Sequence, residues 1–163
     1  MKKILIFSPG GGDMVAEGLQ NSFKELGHQA EIYFKDNHWH PYLFLFKISV
    51  KLRRFKLAVC FWERYKEANG HAYEKKILSW KPDLVFMYNF NSISSALIRK
   101  IRDKYKISIV YWAFADPLVG NKLDAYYFDH IIHCSHVFFI NSSAMPSLKL
   151  VSKAHFHFLP VAA

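Results

Sequence analysis

A short apolar run, Ile4-Leu5-Ile6-Phe7, stops at Ser8-Pro9-Gly10-Gly11-Gly12, and Val15, Leu19, Phe23 and Leu26 then recur at helical spacing until Gly27. The first segment therefore reads as a strand, a glycine turn, a helix over 13–26 and a glycine stop. A strand apolar on both faces must be covered on both, and this excludes most all-β and all-α arrangements at once. Met1-Lys2-Lys3 precedes the run as in a secretory leader, but the run is shorter than the about 7–15 apolar residues a leader needs.

The same kind of run returns at 30–34, 83–88, 108–114, 137–140 and 156–159, and helical patterns lie between at about 62–79, at 92–104 with Ser92 as N-cap, at 142–152 and, more weakly, around 120–128. Strands alternating with helices predict an α/β fold: a Rossmann-like, doubly wound, mostly parallel sheet with helices on both faces. The 163 residues suit one domain of this type. Hydrophobic residues make up 52% of the chain, enough to build its core. No stretch approaches the about 18 uninterrupted apolar residues of a membrane span.

Segment 38–61 is more than a minimal crossover requires. A basic amphipathic helical insert is expected at about 41–62. Of the chain's net charge of +9, residues 41–66 carry +6, from seven basic residues against one acid. On one helix, Lys47, Lys51 and Arg54 share a face, while Ile48, Leu52, Phe55 and Val59 share another that reads as core-facing. Together with Arg53 and Lys56 these cations allow three readings. The helix lies at an anionic membrane surface, it contacts nucleic-acid phosphates, or it is a packed helix with a solvated face. The nucleic-acid reading is disfavoured because the aromatics fall on the inward stripe rather than beside the charge as stacking platforms.

Ligands of open α/β sheets bind beyond the carboxyl ends of the strands. Three loops lie there. Gly10, Gly11 and Gly12 permit close approach of a ligand to the backbone, and Asp13 opens the following helix, as N-cap or as a base for a substrate hydroxyl. Asn89 and Asn91 follow the third strand. Asp116, in Ala115-Asp116-Pro117, follows the fourth, as a turn opener or a second carboxylate of the same cleft. Hydroxyl-rich ligands suit such a rim. The glycines match neither the dinucleotide nor the P-loop spacing, and no nucleophile elbow is present. Cys60 and Cys134 form no ligand pair and read as reduced thiols of a cytoplasmic protein. The histidine groups His38/His40, His130/His133/His136 and His155/His157 lack a metal-binding pattern, so no metal is expected.

Several of these segments together resemble the N-terminal domain of GT-B glycosyltransferases, in particular the CgeB-like, spore-maturation type group. They are Lys2-Lys3-Ile4-Leu5-Ile6 with its glycine turn, Leu26-Gly27-His28, the basic insert before Lys81-Pro82-Asp83-Leu84-Val85, Trp112-Ala113-Phe114-Ala115-Asp116-Pro117, and Phe158-Leu159-Pro160-Val161-Ala162-Ala163. The resemblance spans nearly the whole chain. Ala115 departs from it, standing where the group has the first acid of Asp-Asp-Pro. It implies the acceptor-binding half of an enzyme that moves a sugar from a nucleotide-sugar donor to a glycan, protein or lipid. The donor is expected in a C-terminal half beyond Ala163, with no cofactor in this chain and no turnover by it alone. It also implies that Asp13, at the start of the first helix, is a base as in several inverting members. The competing reading is a non-catalytic, flavodoxin-like module for a phosphorylated ligand or a partner protein.

Overall fold

The structure is a computed structural model that describes residues 1–8, 10, 13–34, 40–88, 92–113, 130–139, 146, 149, 150 and 152–159. Six strands form one sheet: β1 (Lys3–Phe7), β2 (Gln29–Tyr33), β3 (Leu84–Tyr88), β4 (Ser108–Ala113), β5 (His136–Phe139) and β6 (His155–Phe158). Their order is β2-β1-β3-β4-β5-β6, and every neighbouring pair is parallel. Each parallel pair needs a crossover, which is why helices separate the strands along the chain.

The first crossover, α1 (Met14–Glu25), covers one face of the sheet, and α3 (Phe55–Trp80) and α4 (Ser95–Asp103) cover the other. Under α1, Ala16 meets Ile4, Ile6, Phe86, Tyr88 and Val110. On the opposite face Leu5, Phe7, Val85, Met87, Ile109 and Tyr111 pack with Tyr73 and Ile77 of α3 and with Leu97, Ile98 and Ile101 of α4. Alternate residues of the central strands β1, β3 and β4 thus feed two cores, as runs apolar on both faces require. The expected α/β, Rossmann-like, doubly wound sheet is the observed architecture, and it is wholly parallel among the described strands.

Helix α1 starts and stops where its sequence says. The Asp13 carboxylate accepts from the backbone N–H of Val15 and Ala16, and Gly27 takes a left-handed φ of 80° that lets His28 N–H reach the Phe23 carbonyl. The cap of α4 is Ser94, whose side chain accepts from Leu97 N–H, and not Ser92. The helices expected at 120–128 and 142–152 fall wholly or largely outside the described residues.

The basic insert differs from its expected form. Residues 41–62 are not one helix: α2 (Pro41–Lys51) ends, the chain turns through Leu52, Arg53 and Arg54, and α3 begins at Phe55. Arg53 makes the turn with a φ of 54°, a left-handed conformation with no glycine to announce it. Arg54 N–H closes the turn on the Ser49 carbonyl at 2.8 Å. The two helices form a hairpin held partly by aromatic contact, with Phe46 and Trp62 rings 5.1 Å apart. Its apolar stripe also faces the other way from the reading above: Ile48, Leu52, Phe55 and Val59 are exposed, and Ser49 and Ala58 are the buried residues of the tip.

Candidate functional site at the β1 and β3 carboxyl edge

The chain leaves β1 toward β2 on one side and returns past β1 to β3 on the other. The order of connection therefore reverses between β1 and β3, and in open α/β sheets the crevice beyond that point is where ligands bind. Ser8 and Tyr88 stand there. Ser8 follows Phe7, whose register partner is Met87, and Tyr88 follows Met87. Neither was given a role from the sequence: Ser8 opens the glycine loop as one small polar residue among its neighbours, and Tyr88 reads as the end of an apolar run.

Ser8 organises the loop. Its side chain is buried, its hydroxyl lies 2.9 Å from the Gly10 carbonyl and 3.1 Å from Asp13 Oδ2, and its oxygen accepts from Gly10 N–H at 3.4 Å. Asp13 Oδ1 is held by Val15 N–H at 3.0 Å and Ala16 N–H at 3.4 Å. The carboxylate is half-buried and fixed on three sides. A carboxylate offers about four acceptor positions, and the described residues fill three of them. Burial pushes the Tyr88 phenol above its ordinary value, and the charge of Asp13 adds to the shift, which places the phenol within the field of this carboxylate. Trp112 of β4 extends the same edge, its ring 5.6 Å from that of Tyr88.

Gly10 does not need to be glycine for its backbone: among the described residues nothing lies within 4 Å of the place a Cβ would occupy, and its φ is ordinary. Gly11, Gly12, Asn89, Asn91 and Asp116 lie outside the described residues. The cations Lys47, Lys51, Arg53, Arg54 and Lys56 are all exposed on the hairpin, and no described hydrogen bond or ion pair joins them to Ser8, Asp13 or Tyr88.

The remaining groups explain themselves structurally. Cys60 and Cys134 are unpaired; Cys134 is buried, burial pushes its thiol up, and it donates to the His130 carbonyl. No group of three or more His, Cys, Asp or Glu among the described residues is arranged to hold a metal ion. His136, His155 and His157 stack instead of converging, with ring centroids 5.1 and 5.3 Å apart and His136 Nδ1 3.1 Å from His157 Nε2.

Burial, with the neighbouring imidazoles His155 and His157, holds His136 below its ordinary value of 6.5. The unfolded chain then takes up the proton first, so this contribution to stability is complete above that value and is lost as the pH falls through and below it. Thermal melts of the wild type between about pH 7 and about pH 5 are expected to fall more steeply than those of His136→Gln. Parallel slopes would remove His136 from the acid response.

No family model and no curated protein matches the chain. Among solved structures, the N-terminal domain of the response regulator receiver protein from Methanoculleus marisnigri JR1 is similar over 93% of this chain and 94% of that one, with a TM-score of 0.46 and 10% identity.

Proposed function

We propose that this chain is the acceptor-binding half of a GT-B type glycosyltransferase, of the CgeB-like kind its sequence resembles. The observation that supports this reading is the Ser8–Asp13 pair at the β1/β3 edge: a carboxylate steadied by two amides and a buried hydroxyl, with about one of its acceptor positions left unfilled by the described residues. That arrangement suits the task of accepting a proton from a sugar or other acceptor hydroxyl as it attacks the donor sugar. Ser8 is a positioning residue, since it acts through Asp13. Asn89, Asn91 and Asp116 follow β3 and β4 in the chain and would supply further hydrogen bonds to hydroxyls. The donor, a nucleotide-sugar, would be held by a separate C-terminal half. On this reading the site of action is the cytoplasm; no helix among the described residues is long and apolar enough to cross a membrane.

Asp13→Asn tests the base. Asparagine caps a helix about as well as aspartate, so stability is expected to change by no more than about 0.5 kcal/mol. Turnover by the enzyme that carries this domain is expected to fall at least about 100-fold. Turnover at the wild-type rate would remove Asp13 from the chemistry.

A second reading is favoured by two observations. Asp13 Oδ1 already serves as the N-cap acceptor of Val15 and Ala16 N–H, and the order of the first five strands, β2-β1-β3-β4-β5, is the flavodoxin-like one. On that reading the chain is a non-catalytic module whose edge takes a phosphorylated ligand or a partner protein.

A further inference from the structure

The α2–α3 hairpin carries a surface that the strand-edge site does not use. From Phe44 to Cys60, every residue is exposed except Phe46, Ser49 and Ala58. Large apolar side chains dominate: Phe44 is 61% exposed, Leu52 63% and Phe55 64%, with Leu45, Ile48, Val50, Leu57 and Val59 also open. Exposed apolar groups in such concentration are uncommon on a soluble surface and mark a place where something binds.

The charge around them says what binds. Lys47, Lys51, Arg53, Arg54 and Lys56 are interleaved with the apolar residues, and no acid occurs between Pro41 and Trp62. Arg53, Arg54 and Lys56 crowd the amino end of α3, whose first turn holds no acidic residue. That end already carries partial positive charge, so within the chain the arrangement is unfavourable. An anionic partner reverses the sign. A nucleic acid would satisfy the cations but leave the aliphatic tip in water. An apolar protein groove would cover the tip but not the cations. A lipid surface with anionic headgroups satisfies both at once, taking apolar side chains below the headgroups while Lys and Arg stems reach back to the phosphates.

We infer that the α2–α3 hairpin is a membrane-docking finger, its tip from Phe44 to Val59 inserted into the headgroup region of an anionic bilayer. The inference stands apart from the sugar chemistry proposed for the strand edge. It gives the exposed stripe of Ile48, Leu52, Phe55 and Val59 an occupant that the other described residues do not supply.

The test uses the intact chain and sedimenting vesicles, either of phosphatidylcholine alone or with about 30% phosphatidylglycerol. Binding to the anionic vesicles is expected at low salt, and binding to the neutral ones only weakly. Each cation near such a surface is worth about fivefold in affinity. Replacing Lys47, Lys51, Arg53, Arg54 and Lys56 by Gln is therefore expected to weaken binding at least about 100-fold. Phe44→Ser with Leu52→Ser and Phe55→Ser, all at exposed positions, is expected to abolish the part of the binding that survives high salt. A Phe44→Trp variant is expected to shift its emission to the blue on anionic vesicles. The proposal is overturned if the wild type ignores anionic vesicles at low salt, if the triple serine variant binds them as the wild type does, or if the Phe44→Trp emission stays put. It is equally overturned if a single-stranded oligonucleotide displaces the chain from vesicles by binding this tip, or if sedimentation shows a dimer that buries it. None of these outcomes bears on Asp13→Asn, so the two readings fail separately.

Discussion

Tyr73→Ala is expected to lower the free energy of unfolding by about 3–5 kcal/mol, a large part of the about 5–15 kcal/mol that holds a domain of this kind together. Tyr73 is 1% exposed and lies where α3 crosses the sheet. Its ring meets Phe7 of β1 at 4.7 Å and Tyr33 of β2 at 4.9 Å, both edge to face. Each such pair adds about 0.5–1.5 kcal/mol to the burial itself. The substitution therefore leaves a cavity and also releases α3 from the two strands that flank the Ser8 loop. Urea unfolding followed by circular dichroism reads the effect as a lower midpoint at unchanged slope. A loss below about 1 kcal/mol would mean that α3 is not seated on the sheet as described.

How far the sequence anticipated this arrangement follows from what each signal encodes. The central strands β1, β3 and β4 were legible because each is a short run apolar on both faces, the pattern of a covered parallel sheet, whereas β2 and β6, Gln29-Ala30-Glu31-Ile32-Tyr33 and His155-Phe156-His157-Phe158, carry polar residues suited to the sheet edges. Helix α1 was legible through Asp13 and Gly27, residues whose side chain or backbone freedom the helix ends require. The hairpin turn was not: Arg53 adopts a left-handed conformation usually left to glycine, and neither proline nor glycine lies between Tyr42 and Glu63. Periodicity correctly grouped Ile48, Leu52, Phe55 and Val59 as apolar, yet periodicity says which residues share a face and not what covers it. The candidate site was legible in its exposed half alone. Asp13 announced itself after three glycines, whereas Ser8 and Tyr88 are hidden at strand ends, and only the register of β1 with β3 brings them to one edge.

Ser8→Ala isolates the role of that hidden half. The one proton of the buried hydroxyl is shared between Asp13 Oδ2 and the Gly10 carbonyl, and its oxygen receives Gly10 N–H. Alanine fits the space but leaves these groups without their partner, at a cost of about 1–3 kcal/mol. The larger consequence falls on the site: with Oδ2 no longer tethered, Asp13 keeps its capping bonds through Oδ1 but loses its fixed direction. Affinity for a hydroxyl-bearing ligand is expected to fall about tenfold or more, while the hairpin's affinity for anionic vesicles stays as it was.

The most direct test of the central claim is an amide-resolved NMR titration of the intact chain with neutral disaccharides and, separately, with nucleoside monophosphates. The account predicts that a disaccharide moves the amides of Gly10, Val15 and Ala16 in the wild type, more weakly in Ser8→Ala, and leaves the hairpin amides in place. Shifts at these amides with the phosphate-bearing ligands alone, or disaccharide shifts confined to other parts of the fold, would contradict it and leave the non-catalytic binding module as the better description.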